Sequence, residues 1–205
     1  GLGRLTTVEG LEREAPRTYA YDGLDVLSGS ASNGVQERRF YVEDRLVARA
    51  EGGQHTTYVR AAALPIAERV TQDGATSTLL LAVDAKASVL GVVRPEGTQH
   101  RVYTAYGHEA EDPPDAALGY NGEVHEAGTG WQLLGNGNRA LDASTMRFQQ
   151  PDDQSPFDQG GMNAYAYCGN DPVNWIDPSG RWFISPAVMV GLGAVALAAG
   201  IGGVS

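Results

Sequence analysis

The sequence is poor in cysteine and in lysine, and these shortages exclude several classes of protein. Cys168 is the single cysteine among 205 residues, so no internal disulfide can form, and no Cys-x-x-Cys pair or Cys/His cluster predicts zinc. Only Lys86 among the 15 basic residues is a lysine, and 25 acidic residues bring the net charge to −10. Phosphate binding needs a basic face, so we expect no nucleic-acid partner. The four histidines are scattered singly, and we predict no metal and no cofactor.

Glycine, in contrast, is abundant. The chain has 27 glycines, about twice the usual share, yet they follow no Gly-X-Y period. Apolar residues make up 42% of the chain and run through most of it, which excludes a simple disordered linker. We therefore predict a β protein that is rich in turns.

The composition changes twice along the chain and divides it into three predicted regions. Residues 1–100 have short spacings between turn signals, and residues 101–181 are rich in aromatic residues, glycine, asparagine, aspartate and proline. Residues 182–205 are almost entirely apolar. The chain begins at Gly1, without a charged and then apolar leader, and its first residues already resemble part of a repeat. We expect the sequence to be the C-terminal end of a longer protein.

The first region has the pattern of β-hairpins. Asp22-Gly23 separates residues 18–21 from residues 24–27, and a two-residue Asp-Gly loop between β-prone runs predicts a hairpin. Residues 38–42 turn at Glu43-Asp44 and return as residues 45–48. Tyr21 and Tyr41 lie 20 residues apart, a spacing typical of stacked hairpin repeats, although an ordinary meander could have the same spacing. Further predicted strands are 56–60, 77–83 and 89–93.

Several phrases resemble the Rhs family of YD-repeat proteins. Tyr-Asp-Gly-Leu-Asp-Val-Leu at 21–27 is similar to a YD repeat, and Tyr-Thr-Ala-Tyr-Gly at 103–107 is similar to a motif of the Rhs core. The resemblance covers about residues 1–181 and is most specific after residue 118. Its densest segments are 118–123, 128–136, 146–148, 155–157, 160–167 and 170–180. They resemble the Rhs repeat-associated core of Tc-toxin C components and polymorphic bacterial toxins.

The resemblance implies a fold and a function. The fold would be all-β: a hairpin array that forms part of a cage, ending in a core segment that turns inward as a plug. The implied function is that of a shell protein in a bacterial toxin system. The shell encloses its own C-terminal effector and releases it by cutting the chain. The implied partners are that effector, the rest of the Rhs or Tc shell, an immunity protein and the delivery machinery. Such a protein would be made in the cytoplasm and then secreted or delivered.

The acids near the end of the core offer a hydrolytic site. Two carboxylates that are forced together cannot both ionise, so one keeps its proton as a general acid while the other activates water. A nearby guanidinium can hold one carboxylate ionised. The sequence alone leaves open which acids meet. The candidates are Asp142, Asp152, Asp153, Asp158, Asp171 and Asp177.

The family resemblance selects among these acids. It implies a single-turnover aspartyl autoprotease in which Asp152 and Asp177 share a proton and position water, while Arg139 sets their charge balance. The cut would follow Asp177-Pro178-Ser179-Gly180 and fall within residues 180–184. The sequence departs from the family at Pro151-Asp152-Asp153-Gln154, so Asp153 remains an alternative to Asp152. The residue after Gly180 is often leucine in the family. Here the cleavage region reads Gly180, Arg181, Trp182 and Phe183.

The last region contains 18 consecutive apolar residues, 187–204, which meets the lower bound for a membrane span. Its glycines lower helix propensity, and no basic flank follows it, so we expect no constitutive anchor. Two interpretations stay open. The segment is either the start of a membrane-active effector or the apolar lead-in to a toxin whose active part lies beyond the sequence.

Two other functions remain compatible with the sequence. In the first, the repeats bind carbohydrate or a partner at a surface and the aspartates are structural. In the second, the chain is an inactive orphan cassette.

Overall fold

In the computed structural model of the protein, residues 4–9, 15–109, 116–126, 129–157 and 161–188 are described. Within them, ten strands form one antiparallel sheet whose spatial order follows the sequence, β1 to β10. The all-β prediction is confirmed. The strands are β1 (Thr7–Val8), β2 (Arg17–Tyr21), β3 (Leu27–Ser32), β4 (Val35–Val42), β5 (Arg45–Glu51), β6 (Gln54–Ala61), β7 (Leu64–Gln72), β8 (Ala75–Val83), β9 (Val89–Arg94) and β10 (Gly97–His100).

Two-residue turns produce the regular spacing of the strands. Asn33-Gly34, Gly52-Gly53 and Asp73-Gly74 each have two positive φ angles, the backbone that tight hairpins need because it matches the twist of the strands. The Glu43-Asp44 turn predicted from the sequence joins β4 to β5, with φ of 56° at Glu43. The predicted strands 56–60, 77–83 and 89–93 lie within β6, β8 and β9.

The predicted Asp22-Gly23 turn is wrong in its length. The chain re-enters the sheet at Leu27, not at Leu24, and the positive φ belongs to Asp25, at 69°. The Asp22 carboxylate accepts hydrogen bonds from the backbone N–H groups of Leu24 and Val26, at 2.8 and 3.0 Å. Because its side chain organises a wider turn, the aspartate outweighs the two-residue preference of Asp-Gly.

The described residues between 101 and 188, called the second region below, contain little regular structure. They include a small sheet of β11 (Gln132–Leu133), β12 (Arg139–Asp142) and β13 (Arg147–Phe148), with the single turn α1 (Leu134–Gly137) between the first two strands. Short 3-10 turns lie at Tyr120–Gly122 and Cys168–Asn170. Residues 186–188 are helical.

This second region packs on one face of the large sheet through three apolar clusters. The first joins sheet residues with the 116–124 segment. The second lies within the second region, and the third joins β2 and the start of β3 to the small sheet. The buried members are Tyr58, Leu79, Leu81, Val89, Val92, Ala116, Leu118 and Val124; Tyr120, Leu134, Leu141, Phe148, Tyr167 and Cys168; and Tyr19, Leu27, Leu133 and Ala140. Burial of this apolar area drives the docking.

Buried polar contacts determine where the second region sits on the sheet. Glu68 of β7 accepts hydrogen bonds from the N–H groups of Ala117 and Leu118, at 2.9 and 2.7 Å. Arg39 of β4 donates from Nε to Glu37 at 2.5 Å and from Nη2 to Glu126, so one buried cation pairs with two buried carboxylates. Since unpaired buried charges are costly, these contacts permit one arrangement of the second region on the sheet.

The predicted apolar segment 187–204 lies mostly outside the described residues, which include only its first two positions. Among the residues that the structure describes, none of the helices has the length and apolar character needed to cross a bilayer.

Candidate functional site

Arg139 is at the centre of the candidate site. It begins β12, directly after the α1 turn, and its side chain is only 5% exposed. The guanidinium carbon lies 3.7 Å from the centre of the Phe148 ring, and Nη1 donates to the carbonyl of Ala164 at 3.2 Å. Burial lowers the pKa of Arg139, yet an arginine remains charged at any physiological pH. The fold therefore holds a fixed positive charge at this point.

Two buried carboxylates share this cation. The Asp152 Oδ2 and Asp177 Oδ2 atoms lie 2.9 and 3.5 Å from the same nitrogen, Nη2 of Arg139, and each aspartate side chain is 3% exposed. One positive charge cannot balance two buried negative charges, so the site favours a proton on one carboxyl. Burial raises the pKa of Asp177 from 3.8 to about 6, although Arg139, the Ser179 hydroxyl and two backbone N–H groups oppose this rise.

The neighbouring acid Asp153 lies outside the cluster. Its side chain is 67% exposed, and its contact is with Arg181 Nη2 at 3.6 Å. Asp152 is held inward because its backbone N–H donates to the carbonyl of Ala164 at 2.8 Å, and its Oδ1 accepts the N–H of Gln154 at 3.0 Å. Of the two alternatives left open by the sequence, the one that contacts Arg139 is Asp152.

The remaining candidate acids have local roles. Asp142 accepts hydrogen bonds from the backbone and hydroxyl of Ser144, at 2.9 and 2.6 Å, and these bonds lower its pKa. Asp171 is bound by the Asn174 side chain at 3.0 and 3.1 Å. Asp142 ends β12 and bonds to the turn that follows it, Asp171 bonds to its own turn, and both lie outside the cluster around Arg139. Asp158 lies outside the described residues.

The predicted cleavage region forms a closed loop. Ile176 and Ile184 pair antiparallel, and the residues between them return on themselves with the Asp177 carboxylate inside. Its Oδ1 accepts the Ser179 hydroxyl at 3.0 Å and the backbone N–H of Arg181 at 3.1 Å. Trp182 lines a cavity of about 430 Å³ together with Asp177. Phe183 packs edge-on against Trp175, with ring centres 5.4 Å apart.

The peptide between Gly180 and Arg181 is contacted at both ends. Its carbonyl oxygen accepts Arg139 Nε and the amide Nδ2 of Asn138, the latter at 3.1 Å. Its N–H donates to Asp177 Oδ1 at 3.1 Å. The arrangement has a cation and an amide at the carbonyl oxygen and a carboxyl with a raised pKa at the amide nitrogen. These are the groups that peptide hydrolysis requires.

The α1 turn holds the loop in place at short range. The Gly135 N–H donates to the carbonyl of Pro178 at 3.1 Å, and Gly135 has φ of 60°. A β-carbon at Gly135 would lie 1.8 Å from the carbonyl oxygen of Ser179. Only glycine both adopts this backbone and allows this approach.

Sequence reasoning missed Gly135, Asn138 and Ser179. Ser179 had a local signal, since a serine two residues after an aspartate is common in turns. Asn138 had none, because its contact spans 42 residues. Cys168 is buried, and burial raises the pKa of its thiol to about 12. Among the described residues, no three side chains of the metal-ligating kinds converge.

No family profile and no curated protein matches the sequence. Solved structures do match, at low sequence identity. TcdB2-TccC3-TEV has a TM-score of 0.65 at 19% identity over 87% of this chain, and TcdB2-TccC3-Cdc42 has 0.65 at 18% over 95%. The Photorhabdus luminescens Tc holotoxin pore, in a form with a TccC3 mutation, has 0.64 at 17% over 85%. The chain spans about a tenth of the length of these chains (10%, 10% and 9%), and the likeness shows a shared fold.

Proposed function

We propose that this chain is the self-cleaving part of a bacterial toxin shell and that it cuts its own backbone between Gly180 and Arg181. The observation that carries the proposal is the contact of one buried Arg139–Asp152–Asp177 cluster with both ends of that peptide bond. The structural likeness to Tc toxin components supports a role in a toxin shell. In such a shell, the sheet would be part of the wall, and the residues after 180 would be the beginning of the enclosed effector.

The reaction follows the positions of the groups. Asp152, as a carboxylate beside Arg139, takes a proton from a water molecule as the water oxygen attacks the carbonyl carbon of Gly180. Negative charge forms on the carbonyl oxygen, where Arg139 Nε donates. Asp177, in its protonated form, then gives its proton to the nitrogen of Arg181, and the carbon–nitrogen bond breaks. The products are a carboxyl group on Gly180 and an amino group on Arg181.

The pKa of Asp177 suits it to the acid role. A carboxyl with a pKa of about 6 keeps a proton far more often at neutral pH than one at the ordinary 3.8. Asp177 Oδ1 also lies 3.1 Å from the leaving nitrogen, whose N–H it accepts before the attack. Once the attack makes this nitrogen tetrahedral, its lone pair can take the proton of the Asp177 carboxyl. Asp152 accepts the closer contact from Arg139, 2.9 Å against 3.5 Å for Asp177, and we assign it the role of the base.

The test is the intact mass of the chain expressed with a C-terminal tag. We expect two fragments from the wild-type chain, with the first ending at Gly180, and a full-length chain from Asp152→Asn and from Asp177→Asn. Asp153→Asn is the matched control, because it changes an exposed neighbouring acid and should leave cleavage intact.

Three outcomes contradict the proposal in whole or in part. A wild-type chain that is folded by circular dichroism and stays at full length would favour a surface-binding role or an inactive cassette. Cleavage that persists in both Asp152→Asn and Asp177→Asn would remove these aspartates from the reaction. Cleavage lost in Asp153→Asn but kept in Asp152→Asn would assign the base to Asp153.

A further inference from the structure

Asn138 lies where the α1 turn ends, one residue before Arg139. Its backbone is helical, with φ of −62° and ψ of −50°, and its N–H donates to the carbonyl of Gly135 at 3.2 Å. This backbone directs the amide side chain toward the cleavage loop, where Nδ2 reaches the Gly180 carbonyl oxygen at 3.1 Å.

The other end of the same amide contacts the side chain of the residue after the peptide bond. Its Oδ1 lies 3.4 Å from Nη2 of Arg181. A carbonyl oxygen needs a donor and a guanidinium needs an acceptor, so these two partners fix which end of the Asn138 amide is nitrogen. The amide thus spans the Gly180–Arg181 junction, with its donor directed at the atom on which charge would develop.

The chemistry requires a donor at this place. Asp152 and Asp177 move protons in the proposed cleavage, and neither can donate to the carbonyl oxygen while it acts as base or leaving-group acid. Arg139 has its Nη2 engaged by both carboxylates, which leaves Nε for the carbonyl. A neutral amide adds a second donor without adding a charge that would disturb the carboxyl pair.

We propose, on the basis of the self-cleavage proposed above, that Asn138 is a catalytic residue whose Nδ2–H group and Arg139 Nε together form the oxyanion site for the Gly180 carbonyl. Removal of one oxyanion donor slows acyl-transfer enzymes by about 10²- to 10³-fold. Because Arg139 remains, we expect slow cleavage rather than none when Asn138 is replaced.

The experiment follows cleavage with time in pulse-labelled cell-free synthesis of the full chain. Asn138→Asp keeps the shape and loses the donor, and Asn138→Ala removes the amide without adding charge. Both should slow the conversion of full-length chain to fragments by about a hundredfold. Asn136→Asp is the matched control on the same turn, because the Asn136 amide donates to the carbonyl of Asp44 and not to Gly180. It should cleave at the wild-type rate.

A merely structural role of Asn138 predicts different results. The pH dependence of the Asn138→Ala rate should follow that of the wild type, because the donor acts on the oxyanion and not on the acid and base. A displaced loop would change that pH dependence. The thermal midpoint, measured in the uncut Asp152→Asn background, should be similar with Asn or Ala at 138. A slow rate that comes with unfolding would overturn the catalytic assignment.

The two proposals fail in distinguishable ways. If the wild type cleaves, Asp152→Asn does not, and Asn138→Ala cleaves at the wild-type rate, then the oxyanion assignment is wrong and self-cleavage stands. If the folded wild type never cleaves, both are wrong. A first fragment that ends after Gly180 supports the geometry, and one that ends elsewhere overturns it.

Discussion

Ile176 and Ile184 exchange two backbone hydrogen bonds, at 3.0 and 2.8 Å, across the loop that carries the proposed cleavage site. Phe183 adds an edge-on contact to Trp175 on the opposite side. Both contacts join the chain before Gly180 to the chain after it. The cut bond would therefore lie inside a hairpin that remains paired.

We predict from this pairing that the two fragments stay together after cleavage. They should co-elute in size-exclusion chromatography under native conditions and separate in 6 M guanidinium. Ile184→Pro removes the N–H that bonds to Ile176, and we expect it to release the second fragment. Ile184→Ala keeps that N–H and should retain the fragment. Elution of two separate wild-type fragments in native buffer would contradict this prediction.

The rate of cleavage should fall as the pH rises above 6. Asp177 must carry a proton to act as the acid, and its pKa of about 6 means that the protonated fraction decreases above that pH, by about tenfold per pH unit well above it. We expect single-turnover rates at pH 8 to be roughly fiftyfold lower than at pH 6. His108→Gln, a change at an exposed histidine, is the control and should leave the fall in rate between pH 6 and 8 unchanged. A rate that is constant from pH 6 to 8 would exclude Asp177 as the acid.

Gly135→Ala should destabilise the fold and prevent cleavage. The new β-carbon would overlap the Ser179 carbonyl at 1.8 Å and would stand at a φ of 60°. Gly130→Ala is the matched control, because Gly130 has φ of 66° but nothing within 4 Å of the added carbon. We expect Gly135→Ala to cost roughly 2 kcal/mol more than Gly130→Ala in urea unfolding. Equal losses would mean that the close approach of turn and loop is not essential.

The buried ion pairs of Arg39, one of which joins the sheet to the second region, should stabilise the fold strongly. Arg39→Met would leave two buried carboxylates, Glu37 and Glu126, without their shared cation. We expect a loss of about 3–5 kcal/mol in the free energy of unfolding. Arg38→Met, a change at the exposed neighbour on the same strand, should change the free energy by less than about 0.5 kcal/mol. Similar values for both variants would contradict a stabilising role for the buried pair.

His125 should make the fold less stable in weak acid. Burial and the nearby Arg101 lower the pKa of its side chain from 6.5 to about 4, although Glu109 opposes the shift. Between these two pH values the unfolded chain binds more protons than the folded one, so the free energy of unfolding decreases as the pH falls from 6.5 to 4. His125→Gln should remove part of this decrease, about 1–3 kcal/mol. His55→Gln, at an exposed position, should leave it unchanged. Parallel curves for wild type and His125→Gln would contradict the shift.

The strands could be predicted because they depend on local patterns. Residues 56–60 and 77–83 alternate on the two faces of a sheet, and Glu43-Asp44 follows a β-prone run. The Asp22-Gly23 turn failed because one side chain, that of Asp22, formed hydrogen bonds that composition does not reveal. A hydrogen bond contributes about 1 kcal/mol net, so two of them from one side chain are enough to decide a turn.

The sequence by itself determined the alternation and turn residues that build an antiparallel β-sheet, since hairpins join residues only a few positions apart. The family resemblance pointed to Arg139, Asp152 and Asp177, but the choice between Asp152 and Asp153 stayed open. Tertiary structure decided that Asp152 faces Arg139 and that Asn138 reaches Gly180. These contacts span 13 and 42 residues. The bond of Asp152 to Ala164 holds the first in place, and packing of the α1 turn against the cleavage loop sets the second. Burial of the cluster then raised the pKa of Asp177, which no local pattern encodes, because desolvation depends on everything that surrounds the carboxyl.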